Sequence, residues 1–179
     1  MSRALPLLAL LSIAASVPLA AEDARPGPAP CSSAEHRQFD FWIGRWNVTA
    51  SGQPAGRNDI QLILGGCVLL ENWTGAQGGA GKSLNYFDRT DGSWHQQWVD
   101  ANGGSLSLAG RFENGAMRLE GERPATAKQP ATRHRITWTP RPDGTVRQLW
   151  QSTATGKEEW QTQFDGIYVR ATESSPPPK

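Results

Sequence analysis

Short runs of alternating apolar and polar residues recur about every ten residues after Gly44, each closed by an explicit turn. The turns are Asp91-Gly92, Asn102-Gly103-Gly104, Asn114-Gly115, Pro142-Asp143-Gly144 and Thr155-Gly156. Gly and Asn accept positive φ, so such sequences suit tight hairpin connections. No segment after Gly44 sustains a 3.6-residue period, so helices are not interleaved with the strands. Connections this short join antiparallel neighbours only. The pattern predicts an all-β fold, an antiparallel up-and-down β-barrel of about ten strands, because closure removes the sheet edges. A two-sheet sandwich is the alternative with the same local signals. The second strand is expected to begin at Asp59, and the last to run from Glu158 to Arg170 with a bulge at Gly166.

The densest apolar stretch, Phe39 to Val48, precedes these strands and leads into the first. Phe39, Trp42 and Ile43 share a helical stripe, Gly44 breaks it, and Trp46 and Val48 then alternate at strand spacing. Ser32-x-x-Glu35 has the form of a capping box. A short helix from Ser33 to about Phe41 is therefore expected, plugging one end of the barrel.

The order of motifs carries a resemblance. Phe39-Asp40-Phe41-Trp42-Ile43-Gly44-x-Trp46, Gly66-Cys67-x-x-x-Glu71-x-Trp73, Ser83-x-Asn85, Trp94-x-x-Gln97-x-Val99-Asp100 and Phe164-Asp165-Gly166-x-Tyr168 together resemble an uncharacterised family of bacterial secreted proteins. That family is calycin-like, related to lipocalins, fatty-acid-binding proteins and nitrobindin. The resemblance implies architecture and brings no activity or catalytic residues. In calycin barrels a basic side chain from the last strand covers the first-strand tryptophan. This implies that Arg170 closes the barrel over Trp46, with Arg147 as the other candidate.

Residues 1–21 read as a signal peptide, with Arg3 as the positive end, Leu5 to Val17 as the apolar centre and Ala20-Ala21 as the cleavage site. The apolar run is too short for a membrane span. Residues 22–31 read as a flexible leader, 32–170 as the barrel domain and 171–179 as a disordered polar tail. A periplasmic or extracellular location follows. There, the two cysteines Cys31 and Cys67 are expected to form a disulfide tying the plug to the third strand, two buried free thiols being the alternative. The formal charge of +1 falls to zero without Arg3. A neutral chain carries no electrostatic footprint for nucleic acid or anionic membrane.

Eight tryptophans are many for this length. Trp94 and Trp98 share a strand face, and Trp138, Trp150 and Trp160 come from later strands. Trp73, Trp98, Trp138 and Trp150 are the expected walls of an interior cavity, against the simpler reading of a filled core. Glu71 shares a face with Leu69 and Trp73, so it points where apolar groups point. It is either a polar anchor or general acid/base in a cavity, or the structural partner of an arginine such as Arg135. Asn85, Gln97 and Gln148 are further candidates for polar contacts to a ligand.

Three readings of function follow. The first is a barrel binding a small, largely apolar molecule. The second is an enzyme of isomerase or hydratase type using Glu71 on the same scaffold, a fold-level analogy. The third is a solid barrel acting through its surface as an envelope interaction module. Ala76 to Ser83 matches a permissive phosphate-loop pattern, but the residues after it read as a strand, where such a loop requires a helix. His36, His95 and His134 lack zinc-ligand spacing. A single axial histidine, His134 or His95, could serve a haem of the nitrobindin kind, but that protein's glycine-rich pattern is missing. No metal or cofactor is expected, and oligomeric state is left open.

Overall fold

The computed structural model describes residues 30–127 and 129–172. The expected signal peptide, nearly all of the leader and residues 173–179 lie outside them. Ten strands form one closed antiparallel barrel in chain order: β1 Gly44–Ala50, β2 Gln53–Ile63, β3 Val68–Gly75, β4 Ala80–Asp88, β5 Ser93–Asp100, β6 Ser105–Glu113, β7 Ala116–Arg123, β8 Thr132–Pro140, β9 Val146–Ala154 and β10 Gln161–Arg170. β10 closes the barrel on β1, with Trp46 opposite Arg170 and Val48 opposite Tyr168. Residues 76–83 form a hairpin tip and the start of β4, with no helix after them.

β2 begins at Gln53, six residues before its expected start. Pro54 and Gly56 read as turn residues, yet they sit beside an irregularity where the β1–β2 register shifts between Val48 and Thr49. An irregular ladder tolerates Pro and Gly that a regular one excludes. The bulge in β10 falls between Thr162 and Phe164, while Gly166 stays in register with Gln148 and Ala50.

The expected helix resolves into two 3-10 turns, Glu35–Arg37 and Asp40–Trp42. The Ser33 hydroxyl donates to the Glu35 carboxylate (2.7 Å), and no side chain caps the first turn. Phe39 leaves helical geometry between the two turns (φ −104°, ψ 5°). Its ring is thereby fully buried, stacked on Trp42 (5.0 Å) and edge-on to Trp94 (5.6 Å) and Trp138 (5.2 Å). Each such ring pair adds roughly 0.5–1.5 kcal/mol beyond area burial. The plug is fastened by polar ties as well. Trp46 Nε1 donates to the Trp42 carbonyl (2.8 Å), Trp94 Nε1 to Gln38 Oε1 (3.2 Å), and Arg37 to the Gly66 carbonyl.

A disulfide joins Cys31 to Cys67, next to the first residue of β3. Its 36-residue separation corresponds to about 4 kcal/mol in the chain-entropy account. Arg170 lies with its guanidinium carbon 4.0 Å from the Trp46 ring centroid and donates to the Ile43 carbonyl. Gly44 makes room for it: φ is +124° there, and a β-carbon would overlap the Arg170 guanidinium. Arg147 faces outward instead, paired through Nε and Nη2 with the two carboxylate oxygens of Asp165 (2.7 Å each).

Candidate functional site

Strand alternation sends Val48, Asn58, Ile60, Leu69, Glu71, Ser83, Asn85, Trp94, Gln96, Trp138 and Tyr168 inward, all buried. The plug fills the end of the barrel where β1 begins. Towards the other end the interior opens into a cavity of about 330 Å³. That lies within the range of small-molecule sites, roughly 300–1,000 Å³. Trp73, Trp98, Trp150, Leu106, Ile136 and Phe164 form its walls; Glu71, Gln96, Gln148 and Tyr168 add polar groups; Asp100, Arg123 and Gln163 belong to strand ends at the mouth.

Glycines set the walls back. The Trp73 ring lies over Gly56, the Trp98 ring over Gly81 and the Phe164 ring over Gly166, each in the space that a β-carbon would take. Trp73 and Phe164 meet edge-to-face at 6.1 Å. Trp150 is held by its indole N–H, which donates to Nδ1 of His134 (3.1 Å). An indole N–H is a donor only, so Nδ1 is the accepting nitrogen, and the Nε2–H of neutral His134 meets Thr132 Oγ1 (2.9 Å). Burial, followed by the Arg123 charge, holds His134 below the ordinary histidine value, which favours this neutral form.

The polar side of the cavity is a network built across six strands. Glu71 Oε1 accepts from Asn58 Nδ2 (2.7 Å), and Oε2 accepts from the Ser83 hydroxyl (2.6 Å). Ser83 Oγ in turn accepts from Asn85 Nδ2 (2.8 Å), and Asn85 Oδ1 accepts from Gln96 Nε2 (2.8 Å). On the other side Asn58 Nδ2 lies 3.4 Å from the Tyr168 hydroxyl, which donates to Gln148 Oε1. Burial raises the Glu71 carboxyl above its ordinary value, against the opposing pull of the Ser83 and Asn58 hydrogen bonds. Burial, then the Glu71 charge, raises the Tyr168 phenol well above its own. A carboxyl group of this kind can anchor a polar or charged group of a ligand, or exchange a proton with it.

The structure brings Glu71, Trp73, Trp98, Gln148 and Trp150 together at the cavity. Asn85 stays one layer behind, fully buried and spent on Ser83, Gln96 and the Leu69 carbonyl. Trp138 does not reach the cavity; it packs on Phe39 and Trp42 in the plug. Gln97 is on the outer face, where it accepts from Ser107. Strand parity requires this, since Trp98 points inward and adjacent residues of one strand cannot share a face. Arg135 is likewise outside, donating to Gln151 (2.8 Å) and lying 4.1 Å from the Trp160 ring, so it does not neutralise Glu71. Trp94, on β5, packs against the plug, and Trp160 lies on the outer surface.

Asn58, Ser83, Gln96 and Tyr168 are site residues that the sequence reading passed over. Gln96 had a signal, its parity with Trp94 and Trp98. Asn58 had none, because it lies in the part of β2 that reads as a turn. His95 is engaged by Asp91 (2.8 Å) and Ser93, and together with Asp88 and Asp91 forms a partly exposed cluster at the β4–β5 turn. Among the described residues, no helix is long and apolar enough to cross a membrane. No protein-family model matches the chain, and no curated protein matches it.

Proposed function

We propose that this chain is a secreted or periplasmic calycin-like barrel that binds a small, largely apolar molecule in its interior. The observation that carries the reading is the cavity of about 330 Å³, walled by Trp73, Trp98 and Trp150 and bordered on one side by the Glu71 network. An apolar enclosure with a few fixed polar groups is the usual form of a small-molecule site. Space above the plug also argues against a barrel that is solid throughout and acts only through its surface. The Cys31–Cys67 disulfide supports an oxidising compartment.

Titration with a panel of apolar and aromatic compounds, read by tryptophan fluorescence, tests this directly. Saturable quenching that weakens in Trp98→Phe and Trp150→Phe is the expected result. A flat response across a broad panel overturns the reading. Native mass spectrometry of protein purified from its source would identify a retained molecule by its mass.

A second reading, acid–base catalysis at the same place, is favoured by one observation: the raised Glu71 carboxyl borders the cavity. Turnover of the retained molecule by the wild type, and its loss in Glu71→Gln with binding preserved, would establish catalysis.

A further inference from the structure

We propose that the ligand carries a positively charged nitrogen, as a protonated or quaternary amine on an apolar body, and that Glu71 and the indole walls hold that charge. The proposal rests on the interior-binding reading and adds the chemical class of the ligand.

The hydrogen bonds around Glu71 run towards it. Gln96 donates to Asn85, Asn85 to Ser83 and Ser83 to Glu71, while Asn58 donates to the other carboxylate oxygen. Donors converge on Glu71 from both sides: Asn58 Nδ2, which can only donate, on Oε1, and the Ser83 hydroxyl on Oε2. This is the arrangement that suits an ionised carboxylate.

Every donor to Glu71 is neutral, and the influences on its acidity are burial and the two hydrogen bonds, with no cation among them. The basic residues of the strands flanking β3, Arg57 and Lys82, are on the outer face, and three arginines farther round the barrel are engaged elsewhere. Arg135 lies on the outer face over Trp160, Arg147 pairs with Asp165, and Arg170 sits over Trp46 at the plugged end. Arg123 does border the cavity, but at the mouth, where it donates to the Ser105 carbonyl (3.2 Å) and shares the rim with Asp100. Among the described residues that line the cavity, Asp100 and Arg123 give the rim one group of each sign, and Glu71 is the one acidic group deeper in. A buried carboxylate without a cation is costly, and a cationic ligand removes that cost.

The walls suit a cation as well. Trp73, Trp98 and Trp150 are the residue type whose ring face attracts cations most strongly, and Phe164 adds a fourth ring. The same quadrupoles disfavour an anion at that depth. A neutral apolar ligand would be served as well by leucine or phenylalanine walls and would leave Glu71 uncompensated.

The test uses two probes of one shape, phenyltrimethylammonium and tert-butylbenzene, titrated into the full chain with tryptophan fluorescence and calorimetry as readouts. The expected result is that the cation binds more tightly by about tenfold or more. Glu71→Gln is expected to erase that preference while tert-butylbenzene still binds. Equal affinity for the two probes overturns the charge assignment and leaves the interior-binding reading standing. Binding of neither, together with a flat response across the broad panel, overturns both. A preference that survives in Glu71→Gln and disappears in Asp100→Asn moves the charge to the rim and also overturns the proposal. Equal affinity in the wild type overturns the assignment even where a variant does not fold.

Discussion

The indole of Trp98 occupies the space that a β-carbon at Gly81 would need. The two residues belong to neighbouring strands, Gly81 opposite Asp100 and Trp98 opposite Ser83, so the ring leans diagonally across the pair. Gly81→Ala is expected to push the indole towards the lumen. Overpacking of this kind costs roughly 1–3 kcal/mol. We expect a lower melting temperature together with weakened probe binding. A variant with wild-type stability and unaltered probe affinity would show that the ring has other room to move.

Glu71 gives a pH dependence whose sign can be worked out. Its folded value is raised above 4.5, so the folded chain holds this proton more tightly than the unfolded one. Stability from this group is complete below about 4.5 and is lost as pH rises through the folded value. Glu71→Gln cannot ionise and escapes that loss. In urea melts the variant should therefore gain on the wild type between pH 4 and pH 8. His134 works in the opposite sense: its folded value lies below 6.5, so its contribution is present above 6.5 and lost as pH falls. A Glu71→Gln difference that stays constant with pH would show the carboxyl to be unperturbed.

The plug is tied covalently at one point, Cys31 to Cys67. Replacing both cysteines by serine is expected to cost about 4 kcal/mol, read as a drop in the urea midpoint. The cavity is at the other end of the barrel, so probe affinity measured well below the transition should be unchanged. Loss of binding in the fully folded double variant would mean that plug and cavity are coupled.

Arg170 bridges the Trp46 ring and the Ile43 carbonyl. Arg170→Met keeps much of the aliphatic packing but loses both interactions, for an expected cost of roughly 1–3 kcal/mol. Arg170→Lys should recover only part of it, because an ammonium lacks the planar fork that stacks and donates together. Thermal melts of the three proteins give the order directly.

The barrel was legible because its signals are local. Alternation and the Asn-Gly and Asp-Gly turns mark strands without knowledge of their partners, and the inward face of β3 follows from Leu69, Glu71 and Trp73. Applying the same parity to β5 would have exchanged Gln97 for Gln96, and applying it to β8 would have put Arg135 outside, opposite in sense to Ile136 and Trp138. Depth along the barrel axis is a different quantity. Trp138 and Trp150 both point inward, yet one packs in the plug and the other borders the cavity. Only the tertiary position of Phe39 and Trp42 decides which. The Asn58–Glu71 bond was hidden for a similar reason, since it depends on a strand that starts among Pro and Gly and is irregular where it pairs with β1.

Ten is an even number of strands, so the chain enters β1 and leaves β10 on the same side, the side corked by Phe39 and Trp42. Anything fused upstream of Gly44 or downstream of Arg170 therefore hangs from the base of the vessel. A tether joined directly after Arg170 would start on the side away from the entrance. Protein immobilised through that point is expected to bind the fluorescence probes with the affinity measured in solution.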